Sequence, residues 1–150
     1  MFPYDSARQD DVLTSSAPTS RPEGPLIIWA LSDGRAGIEA QAVGLAEAVG
    51  RETPATILVK RVGWKGRIGR LPWWLNWLPR RWLTPESGIE GDWPDLWIAA
   101  GRATLPLSIR AKRWSGGKTF VVQLQDPRVP PQMFDLVVAL HGAGWTGRAR

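Results

Sequence analysis

The segment Ser32-Asp33-Gly34-Arg35-Ala36-Gly37 follows an apolar run and gathers residue types that can hold an anion or a hydroxyl. Its glycines let backbone N–H groups converge, and a helix beginning at Ile38 would aim its positive end at the same point. Asp33 could cap that helix or hold a hydroxyl, and Arg35 could meet a phosphate. A plain strand-to-helix turn needs the same glycines, so ligand loop and structural turn compete. The spacing fits neither G-x-G-x-x-G nor G-x-x-x-x-G-K-[ST], which leaves a dinucleotide fingerprint and a P-loop unsupported. Gly101, Arg102 and Thr104 repeat the pattern after another apolar run, with Arg102 equally suited to a site or to a structural salt bridge. Gln123, Gln125, Asp126 and Arg128 could bind sugar hydroxyls, although Asp126-Pro127 is equally a turn signal. No acid–base pair is legible, since no two carboxylates can be placed at a known separation, and catalytic residues stay unassigned. The chain has no Cys and one His, His141, so neither thiolate chemistry nor a metal site is expected, nor a covalently bound cofactor.

Residues 60–83, KRVGWKGRIGRLPWWLNWLPRRWL, hold seven basic side chains, no acidic one and five of the ten tryptophans. Trp64, Arg70, Trp73, Trp74, Trp77, Arg80, Arg81 and Trp82 are the interface candidates. Tryptophan beside cations suits a protein or domain surface, an anionic membrane surface, or a nucleic-acid strand. Packing against protein is favoured over membrane. Nucleic acid is disfavoured, because no binding module is recognisable and the net charge is only +5. No run approaches the roughly 20 apolar residues of a membrane span, and the N-terminus lacks a signal-peptide pattern. The expected location is the cytoplasm, with the tryptophan segment allowing attachment to the inner membrane.

These candidates need elements to hold them. With 150 residues, 43% of them hydrophobic and 22% charged, the chain suffices for one core. Residues 1–24 show neither helical nor strand periodicity and read as a flexible arm. Leu26 to Leu31, Thr56 to Val59, Leu96 to Ala100, Phe120 to Leu124 and Phe134 to Leu140 read as five strands, the first buried on both faces as in a parallel sheet. Ile38, Ala42, Leu45 and Val49 mark a helix ended by Gly50, with Gly44 allowing close packing on the sheet. A second helix carries Leu105, Ile109 and Trp114, capped by Thr104, with Pro106 in its first turn and Gly116-Gly117 at its end. A short helix between Pro72 and Pro79 would put Leu71, Trp74, Leu75 and Leu78 on one face. The expected fold is an open, mostly parallel, Rossmann-like α/β sheet over 25–140, with 60–83 as an insertion and 141–150 as a tail.

The strings LSDGRAGIEAQAVGLAEAVG, LPWWL, LPRR, PDLWIAAGRAT and SGGKTFVVQLQDPRVPPQMFDLVV, in that order, resemble bacterial members of the mitochondrial-fission Elm family over about residues 26–138. Ser32, Asp33, Gly34, Arg35, Gly37 and Gln41 match its first motif, Gly101 and Arg102 the second, and Gln123, Gln125, Asp126, Pro127 and Arg128 the third. Ile38 stands where relatives commonly carry a polar residue. The family resembles two-domain, B-type glycosyltransferases such as the MurG-like proteins, which implies two Rossmann-like domains facing a cleft. By that resemblance this chain corresponds to the N-terminal, acceptor-side half. A nucleotide-sugar would belong to the full-length protein, and a missing C-terminal domain or a partner protein would complete it. After Val138 the likeness stops, so a truncation or frameshift is expected ahead of a natural short form, and the chain is expected to be inactive alone. The alternative is a non-enzymatic adaptor or peripheral membrane-binding module.

Overall fold

A computed structural model describes residues 24–68, 71–72, 79–125, 128–141 and 144–149. Its elements run β1 (Leu26–Ser32), α1 (Ala36–Glu52), β2 (Ala55–Arg61), β3 (Leu96–Ala100), α2 (Leu105–Trp114), β4 (Phe120–Leu124), β5 (Leu136–His141) and β6 (Gly144–Ala149). They form one sheet in the order β2-β1-β3-β4-β5-β6. The pairs from β2 through β5 are parallel, and β6 runs antiparallel to β5. The chain therefore has a mostly parallel α/β sheet flanked by helices, as a Rossmann-like fold requires.

Both sheet faces are covered, which is why the central strands read as unbroken apolar runs rather than alternating ones. On one face Ile28, Ala30, Ile98, Ala100, Val122 and Leu124 pack with Ala42 and Ala46 of α1. The two alanines are fully buried, so the helix axis lies close to the strands. On the other face Trp29, Leu31, Trp97, Ala99 and Val121 meet Leu105, Leu107 and Ala111, together with Val62, Leu83 and Ile89 from the segment between β2 and β3. A right-handed crossover from β1 to β2 and another from β3 to β4 run in opposite directions, and so place their helices on opposite faces. The carboxyl ends of β1 and β3, adjacent in the sheet, thus form its topological switch point.

Four of the ten tryptophans serve packing. Trp29, Trp93, Trp97 and Trp114 form a chain of tilted rings with centroids 5.8 to 6.2 Å apart. All four lie outside 60–83. Trp97 is fully buried and its Nε1–H donates to Ser108 Oγ at 3.0 Å, which removes the one polar liability of that ring. Ser108→Ala should orphan this donor and destabilise the fold by about 1–3 kcal/mol, read as a lower urea midpoint at unchanged slope.

Several local expectations need correction. Gly50 does not end α1, which continues to Glu52. Pro54 supplies the stop, because the residue before proline is driven out of the helical region, and Thr53 is extended at φ −150°, ψ 146°. Gly44 is exposed and faces open space rather than the sheet. Asp33 does not cap α1, whose N-cap is Arg35; Thr104 does stand at the N-cap of α2, although neither helix has a side-chain cap hydrogen bond. Phe134 is buried ahead of β5, which starts at Leu136, and β6 lies in the glycine-containing stretch read as tail. Gly116 and Gly117 do terminate α2, at φ 64° and 82°. The short helix expected from Pro72 lies mostly outside the described residues, and a 3-10 turn runs from Pro79 to Trp82.

Candidate functional site

Ser32 is the last residue of β1 and is buried. Its Oγ accepts the Gly34 N–H at 3.1 Å and donates to Glu39 Oε2 at 3.3 Å. Parallel pairing places Arg61 of β2 opposite Ser32, and the Arg61 guanidinium grips both Glu39 oxygens, at 2.7 and 2.9 Å. Glu39 and Arg61 were absent from the sequence-based candidates. The signal was a carboxylate in the first turn of the helix and a cation at the end of the adjoining strand, but it becomes legible only once β1 and β2 are known to pair in register.

Asp33 faces the next loop. Its Oδ1 accepts the Arg35 N–H at 3.1 Å and its Oδ2 accepts Arg35 Nε–H at 2.8 Å, so Arg35 is paired with Asp33 while its side chain stays exposed. At the end of β3, Gly101 adopts φ 88°, ψ 159°. A Cβ there would stand 3.1 Å from Ile38 Cγ2 and 3.5 Å from Asp33 Oδ2. The β1 and β3 loops therefore touch, and only a residue without a side chain lets them. Thr104 holds the β3 turn closed by donating its hydroxyl to Gly101 O at 2.7 Å. Ile38 packs into this junction.

The third motif joins from β4. Gln125, at φ 69°, donates its N–H to Val138 O at 2.8 Å and its Nε2–H to Gln41 Oε1 at 3.0 Å, which ties the β4 exit to α1. Gln123 lies one residue before the strand end on the opposite sheet face. It is buried, and its Oε1 has no hydrogen-bond partner among the described residues. Gln41 and Gln125 thus reach the same rim as Ser32, Asp33, Gly34, Arg35, Gly101 and Arg102. Gly37 lies exposed in the first turn of α1. Asp126 and Pro127 lie outside the described residues, and Arg128 is exposed at φ 51°. Arg102 is exposed and makes no ion pair among the described residues, so the structural salt bridge is not the arrangement found.

The interface candidates divide. Trp64 is half-buried, packs on the core and donates Nε1–H to Ala103 O at 3.0 Å, and so secures the β3 turn rather than presenting a surface. Arg80 lies over the rings of Trp93 and Trp114, 5.6 Å from each centroid. Trp64 thus packs inward, while Arg80 covers the two rings from an exposed position. Arg81 and Trp82 are exposed. Arg70, Trp73, Trp74 and Trp77 lie outside the described residues.

The rim's carboxylates are acceptors. Burial pushes the Asp33 pKa up, but the side-chain and backbone hydrogen bonds and the charge of Arg35 outweigh it and hold the group below its ordinary value. Arg61 does the same for Glu39, against a smaller opposing effect of desolvation. Because both folded-state values lie below the unfolded ones, the stabilisation is complete above about pH 5 and is lost as pH falls through the folded values. Glu39→Gln should flatten the acid limb of a stability-against-pH curve relative to the unsubstituted chain, with urea midpoints as the readout.

A switch point between β1 and β3, with touching loops and an exposed cation beside them, defines a Rossmann-like domain with its candidate site at the carboxyl rim. Residues 36–141 match the family model described as mitochondrial fission ELM1, and the chain belongs to that family. No curated protein and no solved structure matches it. Among the described residues no helix is long and apolar enough to cross a membrane, and no cluster of side chains suits a metal ion.

Proposed function

We propose that the rim formed by the β1, β3 and β4 exits binds an oxygen-rich, hydroxyl-bearing ligand, as the acceptor-facing half of a glycosyltransferase-like protein whose nucleotide-sugar is held elsewhere. The observation that supports this reading is the close approach of the β3 exit at Gly101 to Asp33 and Ile38, where an added Cβ would stand 3.5 and 3.1 Å from them. Ionised Asp33 and Glu39 offer acceptors for hydroxyl protons, the Gln41–Gln125 pair offers amide groups, and Arg102 offers donors to a ligand oxygen. Neither carboxyl holds a proton to give at neutral pH, so the two offer acceptors and not a general acid.

Titration of the purified chain with N-acetylglucosamine and with UDP-N-acetylglucosamine tests this. The sugar should bind, the nucleotide should add little, and neither should be turned over by the chain alone. Arg102→Ala should weaken sugar binding about tenfold with unchanged thermal stability, because the side chain is solvent-exposed. Product formation would refute the division of labour. Absence of any sugar binding would favour an adaptor or membrane-binding module, a reading supported by the 45% exposure of Trp82 next to Arg81.

A further inference from the structure

A polar cavity lies away from the Asp33–Gly101 junction, in the segment joining β2 to β3. It measures about 310 Å³, and its walls include Lys65, Arg80, Arg81, Thr84, Ser87 and Glu90. Three cations therefore face one carboxylate, and Glu90 forms no salt bridge with any of them among the described residues. Uncompensated like charges around one small volume repel each other, and an anion relieves that repulsion.

The cavity is held open by contacts that engage Arg80, which also donates to Ile89 O at 3.4 Å, but leave the side chains of Lys65 and Arg81 without an ion pair among the described residues. Trp64 pairs with Leu83 in an antiparallel bridge, and Lys65 N–H donates to Trp82 O at 2.7 Å, so Lys65 is fixed beside Arg81. Ser87 Oγ accepts the Gly63 N–H at 2.9 Å, and the Thr84 N–H donates to Gly63 O at 2.9 Å, which anchors the opposite wall. Gly88 turns there at φ 57°, and Lys60 Nζ donates to its carbonyl at 2.7 Å. Arg80 is steadied against the two indoles. Lys65 and Arg81, both exposed, keep their donors for a guest.

We propose that this cavity binds a phosphate group, as a phosphomonoester or diphosphate. Guanidinium forks match pairs of phosphate oxygens, and an ammonium adds a movable point charge. Three cations suit a multiply charged phosphate better than a single carboxylate. The site does not depend on the sugar reading of the switch point, since it shares no lining residue with it.

Calorimetric titration of the purified chain with sodium pyrophosphate, and flotation with phosphatidylcholine vesicles with and without phosphatidic acid, separate a free phosphate from a lipid headgroup. Binding is expected to one or both phosphate-bearing probes and not to phosphatidylcholine alone. Arg81→Gln and Lys65→Met should each weaken it about tenfold, Glu90→Gln should tighten it about threefold, and Arg51→Gln, in the last turn of α1, should leave it unchanged. Thermal melts check that the variants fold. Pyrophosphate affinity alone assigns a soluble ligand; recruitment only by phosphatidic acid, lost in Arg81→Gln, assigns a headgroup. Failure of both probes, or equal losses in Arg81→Gln and Arg51→Gln, would overturn the proposal.

Discussion

Gly101→Val should destabilise the domain by about 3 kcal/mol and abolish sugar binding at the rim. Two effects add. A β-branched residue at φ 88° is strained by about 1–2 kcal/mol, since its Cβ crowds the backbone in that region. The new side chain must also displace Ile38, whose Cγ2 would lie 3.1 Å from the Cβ, and crowd the Asp33 carboxylate, adding about 1–2 kcal/mol of overpacking. Alanine meets the same first contact without the branch and should lose roughly half as much. Chemical denaturation of the two variants, with sugar titration on each, checks the ordering. Equal stability of valine and glycine forms would mean that the β3 turn is not held against Asp33.

Trp97→Ala should have the largest effect on stability, about 4 kcal/mol, enough to unfold much of a marginal domain. Trp97 is fully buried, stands between Trp29 and Trp93 at ring distances of 5.8 and 6.2 Å, and saturates its N–H on Ser108. Truncation leaves a cavity bordered by two other large rings and removes the partner of the serine. Trp97→Phe retains most of the ring volume and should lose less than half as much. Cold-shifted melts of the alanine form at unchanged Arg102 exposure would show that the loss is in the core and not at the rim.

The strands were legible because each central one is buried on both faces: Leu26 to Leu31 and Leu96 to Ala100 could hardly be anything else once short length and apolar continuity are combined. The helix stripe Ile38, Ala42, Leu45, Val49 was legible for the same reason, all four residues belonging to one core. Helix ends were less so. Gly50 looked like a terminus, yet the steric demand of Pro54 set the boundary, and the Asp33–Arg35 pair removed the expected cap. β6 was missed because its stretch carries two glycines and no alternating apolar pattern, so only the exposed edge of β5 specifies it. The cluster of four tilted rings was not legible, because its members are dispersed in sequence and meet only in the fold. The site shows the same division. Its glycines and polar residues announced themselves as motifs, but Glu39 and Arg61 are separated by 22 positions and become partners only through strand register.

An amide-resolved NMR titration of the labelled chain with N-acetylglucosamine tests the rim most directly. The largest shifts should fall on the backbone amides of Gly34, Gly101, Arg102 and Gln125, and should vanish together in Gly101→Val. Shifts confined to residues away from these strand exits, or no shifts at saturating sugar, would contradict a shared crevice at the carboxyl ends of β1 and β3.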